Sequence, residues 1–292
     1  MENFLKKVVS IVLNNFKNDS RVLKTNISLQ NDGYDVTVVA LYEDGLKEFE
    51  SIQNIPVHRI KLRSKNWSKN RFVQLLKYFE FLYRTVKHYY NANIVHCNDL
   101  NALPVGVIIK LLLNKNVKIV YDAHEYETEI DGLRGVQKRL AKLLEKRLIK
   151  YADKVITVSD AIANAYVRAY NIPKPVLILN TPPYKEINKK DIFRDTFKMR
   201  QDKTIFLYQG GLSSGRGIEL LLETFKNIGD EKSVVVFMGY GELEQEIIRV
   251  SKEHSNIYFH QAVSPDILLD YTSSADFGIL FYENSSLNHY YC

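Results

Sequence analysis

Cysteine is scarce in this chain: two in 292 residues, Cys97 and Cys292. Two thiols cannot build a metal cage or a disulfide framework, and their scarcity suits a reducing cytosol. Long apolar runs are missing as well. The longest, Ala102–Leu113, is interrupted by Lys110 and falls short of the roughly 18–20 residues that a membrane span needs. The opening MENFLKKVVSIVLNN has no small-residue cleavage site and enters a strand pattern at once, so a signal peptide is not expected. Glycine is absent from Asn14–Ser20, the turn after the first apolar run, where a nicotinamide dinucleotide fingerprint would need it. The positive charge comes with no nucleic-acid motif. A cytoplasmic protein without a nucleic-acid partner is expected.

What is present reads as a folded protein of two domains. Apolar residues make up 46% and charged residues 25%, the balance of a globular chain, and the length suits two domains. Charge is uneven. Residues 1–180 hold 28 Lys and Arg against 18 Asp and Glu, and residues 181–292 hold 12 against 16, for a net charge of +6. Such asymmetry fits lobes with different partners, the basic one facing anionic lipid, an anionic acceptor or nucleic acid, or only water.

Strand and helix patterns alternate along the first half. KVVSIVL (7–13), 34–41, 57–62, 93–97, 117–121, 154–158 and 176–179 read as strands. Segments 20–30, 69–90, 102–113, 135–150 and 160–170 read as helices. Near-continuous Val/Ile runs separated by helices imply a parallel sheet covered on both faces, a doubly wound α/β lobe. Thr181-Pro182-Pro183 then breaks the rhythm, and 181–202 reads as a linker. The rhythm restarts with strands 204–208, 233–238, 257–259 and 276–280 and helices 217–227, 242–254 and 265–272. The expected class is α/β, with Rossmann-like domains at 1–180 and 203–292. The second domain, with about four strands, looks incomplete.

Strand-end loops are where such sheets bind ligands. Gln209–Gly217 contains Gly210, Gly211, Gly215 and Gly217 with Arg216 and leads into a helix. Glycines admit close backbone approach, a helix start offers free N–H groups to an anion, and a guanidinium can fork onto two phosphate oxygens. A second loop, Gly239-Tyr240-Gly241-Glu242, would line the same crevice, although Glu244 replaces the third glycine of a full fingerprint. A diphosphate held by both loops is one reading; a pair of flexible turns is the other.

In the first lobe, Asp122-Ala123-His124-Glu125-Tyr126-Glu127 follows a strand, and His124 there could bond a sugar hydroxyl or a neighbouring carboxylate. Glu125, Glu127, Glu129 and Asp131 alternate, as in a solvated loop or a cation chelate. Asn98-Asp99 could accept hydroxyl hydrogens or cap a helix. Helix 135–150 sets Lys138, Arg139, Lys142, Lys146, Arg147 and Lys150 against Val136, Leu140, Leu143, Leu144 and Leu148. A core-packed helix with a charged outer face explains that pattern. With Lys61, Arg63, Lys65, Trp67, Lys69 and Arg71 it would also suit anionic headgroups.

Seven blocks, DSRVLKTNISLQNDGYDVTVVAL, IVHCNDLNALP, IVYDAHE, VITVSDAIA, YQGGLSSGRGIELLLE, VFMGYGELE and ADFGILFYENSSLNHYYC, run in order along nearly the whole chain. Together they resemble the GT-B glycosyltransferases of family 4. The resemblance implies two Rossmann-like domains facing a cleft and retaining transfer of a sugar from a nucleoside diphosphate sugar to a hydroxyl. It implies no cofactor and no metal, and the chain contains no Asp-x-Asp triplet for a metal clamp. His124 matches the family's active-site histidine. Gly210, Gly211 and Arg216 match its diphosphate loop, with Gly211 where many members have arginine and Arg216 where they have lysine. Gly239, Tyr240 and Gly241 flank that loop, Gln261 and Val263 resemble the nucleobase contact, and Glu283 and Asn284 a loop beside the donor sugar. Asp19, Ser20, Arg21, Asn98, Asp99 and Glu125 fall on the acceptor side. A sugar or lipid-linked acceptor, cell-surface polysaccharide or glycolipid synthesis, and a peripheral place on the inner membrane face are the expected context. The family continues past the point where this chain stops, so a C-terminally truncated member is expected. A sugar-nucleotide epimerase of the same fold and an inactive binding remnant are the alternatives.

Overall fold

The computed structural model describes residues 5–291 apart from 69, 131, 183 and 285. Lys69, Asp131, Pro183 and Cys292, named above, lie outside the described residues. Two compact units emerge: Met1–Thr181 with Ser286–Cys292, and Pro182–Ser285.

The first unit runs β1 (Lys7–Ile11), α1 (Ser20–Asn31), β2 (Asp35–Leu41), β3 (Phe49–Ile52), β4 (Ile55–Ile60), α2 (Arg71–Tyr89), β5 (Ile94–Asn98), α3 (Leu103–Ile108), β6 (Lys118–Ala123), α4 (Gly135–Leu148), β7 (Lys154–Thr157), α5 (Asp160–Tyr170) and β8 (Val176–Leu177). Its sheet has the order β3-β4-β2-β1-β5-β6-β7-β8. All pairs are parallel except β3 with β4. Alternate residues of each strand feed two cores. Val9, Ile11 and Val39 pack with Phe81 and Leu82 of α2 and with Leu103 and Val105 of α3. Val12, Val38 and Ala40 pack with Val22 of α1 on the other side. Burial on both faces is why these strands read as continuous apolar runs.

Two features of these strands and helices depart from the expectations. The strand β3 forms a hairpin with β4 through Gln53 and Asn54, both at positive φ (49° and 67°). Two left-handed residues match the twist of paired strands, but Gln-Asn lacks the glycine that flags such a turn. On β4, the buried Arg59 guanidinium donates to the carbonyls of Asn15 and Lys47 and pairs with Glu50, pinning the hairpin to the loop after β1. Of the apolar stripe of α4, Leu148 alone packs partly against the core. Val136 and Leu140 are 70% and 59% exposed, Leu143 and Leu144 are exposed too, and the buried residue of that helix is Glu145. The inward face is set instead by Glu145, whose carboxylate accepts from the hydroxyls of Tyr121, Tyr166 and Tyr170. Such hydrogen bonding makes a carboxyl tolerable where an isolated charge would not be.

The second unit runs α6 (Ile192–Phe197), β9 (Thr204–Gly211), α7 (Ile218–Asn227), β10 (Ser233–Tyr240), α8 (Glu244–Glu253), β11 (Ile257–Gln261), α9 (Leu268–Thr272) and β12 (Phe277–Gly278). The sheet order is β11-β10-β9-β12, all parallel. Val235 and Phe237 pack against α7 and α8, while Val234, Val236 and Met238 pack against Phe193 of α6 and Leu268 of α9. Both units are therefore Rossmann-like.

The expected linker 181–202 is corrected by α6. Phe193 is fully buried in the second unit's core, and Arg194 pairs with Asp191 and Asp276. The tail is corrected as well. The helix α10 (Leu287–Tyr291) belongs with the first unit, where Asn288 Oδ1 accepts from the Tyr126 amide and the Tyr291 carbonyl accepts from the Ser159 hydroxyl.

Candidate active site

In the first unit the strand order reverses at β1 and β5, with β2 on one side and β6 on the other. The carboxyl ends of strands at such a reversal form a binding crevice. Asp122 from the end of β6 is the hub there. Its Oδ1 takes Arg21 Nη2 at 2.7 Å, with side-chain exposures of 11% and 3%. Its Oδ2 lies 3.5 Å from His96 Nε2 and 3.6 Å from His124 Nε2. On the far side of the imidazole, His124 Nδ1 stands 3.3 Å from Asp99 Oδ1.

These contacts set the protonation states. Burial alone would raise the Asp122 pKa, but the close approach of the His124 and His96 rings holds it well below the usual carboxylate range. Burial opposes the His124 imidazolium, yet the close carboxylate of Asp122 and the charge of Asp99 outweigh it, so the His124 pKa is raised. Asp99 sits at φ 65°, a left-handed conformation, with its amide donating to the Asp122 carbonyl. Non-glycine residues hold such conformations where the surroundings over-determine them.

The other acceptor-side residues divide. Asp19 caps α1, accepting from the Val22 amide at 3.1 Å and from Asn14 Nδ2, and Ser20 follows it exposed. Asn98 is corrected: it is buried, and its amide donates to Ser10 Oγ and the Ile11 carbonyl, so it braces β1 against β5. Nor does Asp99 cap α3, whose N-cap is Ala102. Glu125 is exposed and accepts from Asn288 Nδ2. The acidic run is no solvated loop, since Glu129 is buried between Lys138 and Lys142 and Glu127 Oε2 accepts from the Leu100 amide. Among the described residues no group of three or more His, Cys, Asp or Glu could hold a metal ion. A cavity of about 720 Å³ in this unit lies under α1 and is floored by Val8, Ile94 and Val120; of the polar cluster, Arg21 and His96 also line it.

In the second unit the parallel register brings the glycine loops to one edge. Gly210 faces Gly239, Gly211 faces Tyr240, and Gly239 faces Gln261. The close approach needs glycine: a Cβ on Gly239 would lie 1.9 Å from the Gly210 carbonyl oxygen. Gly217, at φ 69°, opens α7 with no side-chain cap and has the Phe281 ring against it. The loop is pinned at several points. The Ser214 amide donates to Glu242 Oε1, the Leu212 amide to the Tyr240 carbonyl, and the Glu283 amide to the Gly215 carbonyl. Arg216 lies over Gly211, with Nη1 donating to the Tyr282 hydroxyl at 3.2 Å and the guanidinium 5.4 Å from the centre of that ring. Among the described residues no carboxylate pairs with Arg216. Tyr240 is exposed, Asn284 is exposed, Gln261 ends β11 in the open, and Val263 packs partly against the core beneath. Glu219 in the first turn of α7 accepts from the Ser214 hydroxyl.

Sequence reasoning did not single out Asp122, Glu242 or Tyr282. Asp122 stands two residues before His124 and carried a signal of its own, an acid closing an apolar strand. Tyr282 and Glu242 gave none, since aromatic and acidic residues are common in loops.

The Glycosyltransferase Family 4 model matches residues 23–181. No curated protein sequence matches the chain. Among solved structures the chain is similar to sucrose-phosphate synthase from Thermosynechococcus elongatus, with a TM-score of 0.74 and 16% identity over 94% of this chain and 75% of that one. It is also similar to the catalytic domain of starch synthase IV from Arabidopsis thaliana bound to ADP and acarbose (TM-score 0.67, 13% identity, 94% and 78% covered). HepE from Anabaena in complex with UDP and glucose gives a TM-score of 0.65 at 16% identity, with 95% and 74% covered. At these identities the structural likeness establishes the GT-B fold, while the family model spans more than half of the sequence. On that match the chain belongs to glycosyltransferase family 4.

Proposed function

We propose that this glycosyltransferase moves a sugar, with retention at the anomeric carbon, from a nucleoside diphosphate sugar to a hydroxyl of a sugar or lipid-linked acceptor, with no metal and no cofactor. The observation that carries the reading is the pinned loop 209–217, which presents glycine backbone, an uncapped helix start and an arginine with no carboxylate partner among the described residues. Among the similar structures, HepE is in complex with UDP and starch synthase IV is bound to ADP, which supports a nucleotide ligand of this kind. Arg216 and the loop amides stabilise charge growing on the departing diphosphate. As the bond from anomeric carbon to phosphate oxygen breaks, the acceptor oxygen bonds that carbon on the same face, and its proton goes to the departing phosphate. His124 orients the donor sugar. Gly239, Tyr240, Gly241, Gln261, Val263, Glu283 and Asn284 complete the donor side, and Asp19, Ser20, Arg21, Asp99 and Glu125 the acceptor side.

Titration calorimetry of the full chain with UDP and with ADP tests the donor site. Binding of one of them is expected, and no heat with either overturns it. Proton NMR of the product then reads the anomeric configuration. Conversion of UDP-glucose with no acceptor present points to an epimerase instead.

The same reading sets the protein on the inner membrane face, in cell-surface polysaccharide or glycolipid synthesis. Among the described residues no helix is long and apolar enough to cross a membrane. Support comes from exposed apolar stripes on two helices that both pack against α3: Phe72, Leu75, Phe79 and Tyr83 on α2, and Val136, Leu140, Leu143 and Leu144 on α4. Arg139, Lys146 and Arg147 flank the second stripe. Apolar side chains rimmed by cations suit an anionic headgroup layer. Flotation with phosphatidylglycerol vesicles is expected for the native chain and lost on joint Leu140→Asp and Leu143→Asp substitution; equal flotation of both would sink the idea.

A further inference from the structure

The turn that carries His124 is held by a residue from the far end of the sequence. The strand β6 ends at Ala123, which pairs with Thr157 of β7, so His124 is the first residue beyond the ladder. The residues after it leave the sheet, and a buried amide there needs a partner from elsewhere. Asn288 of α10 supplies it. Its Oδ1 accepts from the Tyr126 amide at 2.8 Å and its Nδ2 donates to Glu125 Oε2 at 3.2 Å. Its own amide donates to the Glu129 carbonyl at 3.4 Å, and the Glu129 amide closes the turn on the Tyr126 carbonyl at 2.7 Å. Asn288 is 5% exposed, and its one carboxamide serves as both acceptor and donor. The helix α10 is fixed at its other end too. The Tyr291 carbonyl accepts from Ser159 Oγ at 2.7 Å, and that oxygen accepts from the Ile162 amide at the start of α5. The buried Tyr126 ring has its centroid 5.6 Å from that of Tyr166 and 6.1 Å from that of Tyr291.

We propose that Asn288 is a positioning residue for His124. Its carboxamide fixes the backbone on the carboxyl side of the histidine, as the β6 ladder fixes it on the amino side. Held from both sides, the imidazole keeps its place between Asp99 and Asp122, 3.3 and 3.6 Å from their carboxylates. Such precision matters, because a misplacement of about 1 Å in an active site can cost about 100-fold in rate. Asn288 makes and breaks no bond in this role and moves no proton. Glu129, buried between Lys138 and Lys142, ties the far end of the turn to α4, so Asn288 bridges the part of the turn nearest the histidine.

This inference rests on the reading of His124 as the group that orients the sugar. Its test needs neither donor nor acceptor, so it can fail while that reading stands. The first measurement is amide hydrogen exchange in the native full chain, which requires no variant. The Tyr126 amide is expected to exchange at least about 100-fold more slowly than the amides of exposed turns. Exchange at the open-turn rate overturns the proposal. The second is an NMR titration of the His124 ring, assigned from His124→Gln. That ring faces Asp99, Asp122 and Arg21, so its midpoint reports where it sits among them. In Asn288→Ala the turn loses both side-chain bonds, and the His124 midpoint is expected to fall by about 1 unit as the imidazole draws away from the carboxylates. A variant that loses stability in urea but keeps the native midpoint would show a merely structural residue and refute the positioning role. Asn288→Asp keeps an acceptor for the Tyr126 amide and adds negative charge, so its midpoint is expected at or above the native one. A fall as large as that of Asn288→Ala would mean that Oδ1 does not hold the turn.

Discussion

Asp122→Ala is expected to destabilise the first unit by about 3–5 kcal/mol, because it leaves Arg21 buried without its carboxylate. His96 and His124 lose the same partner. The measurement is urea unfolding of native and variant chains across pH. Two shifted groups define the window. Asp122 has its pKa depressed in the folded state, so its contribution is full above its ordinary value of 3.8 and is lost as pH falls through the lower folded value. The His124 pKa is raised, so its contribution is full below 6.5 and is lost as pH rises through the higher folded value. The pairing is thus strongest between those two ordinary values, and the two shifts describe one shared interaction. In Asp122→Ala the acid-side loss is expected to shrink and the His124 midpoint to fall. A variant as stable as the native chain at pH 5 would show that Asp122 does not organise the cluster.

Arg216→Ala is expected to weaken binding of the nucleotide, UDP or ADP, by about 10- to 100-fold, the range for losing hydrogen bonds to a charged group. If the guanidinium also stabilises the leaving diphosphate, kcat falls as well. Thermal stability is expected to hold, since the loop is pinned through Ser214, Leu212 and Gly215, none of which uses the arginine side chain. Arg216→Lys keeps the charge but loses the planar fork, so an intermediate loss is expected. Unchanged affinity in a stable Arg216→Ala protein would remove the phosphate role from this residue.

Much of the scaffold is legible in the chain because burial on two faces leaves so little choice of residue. The strands β1, β2, β5, β9 and β10 announce themselves as Val/Ile runs, and the glycines of β9 and β10 mark where two backbones nearly touch. Hairpin β3–β4 escapes notice because Gln53 and Asn54 take left-handed conformations without a glycine between them. The helix α6 is hidden in a polar stretch whose single deeply buried aromatic, Phe193, shows only once a sheet lies beneath it. Periodicity also misleads in α4. The leucine stripe has the right spacing for a core face, yet the helix turns Glu145 inward to three tyrosine hydroxyls. Periodicity reports that a helix has an apolar side, not which side meets the sheet.

Local order of residues alone determined the α/β class, the parallel strands, the positions of the glycine loops and the identity of His124 as a strand-end residue, because these follow from short-range spacing and backbone sterics. Only the tertiary structure decided what surrounds that histidine. Asp122, Asp99, Arg21 and His96 come from β6, the end of β5, α1 and β5, and their charges add up only where the strand order reverses and brings those ends within about 4 Å of one another. Electrostatic interaction depends on distance through space, and that distance is not written in the spacing along the chain.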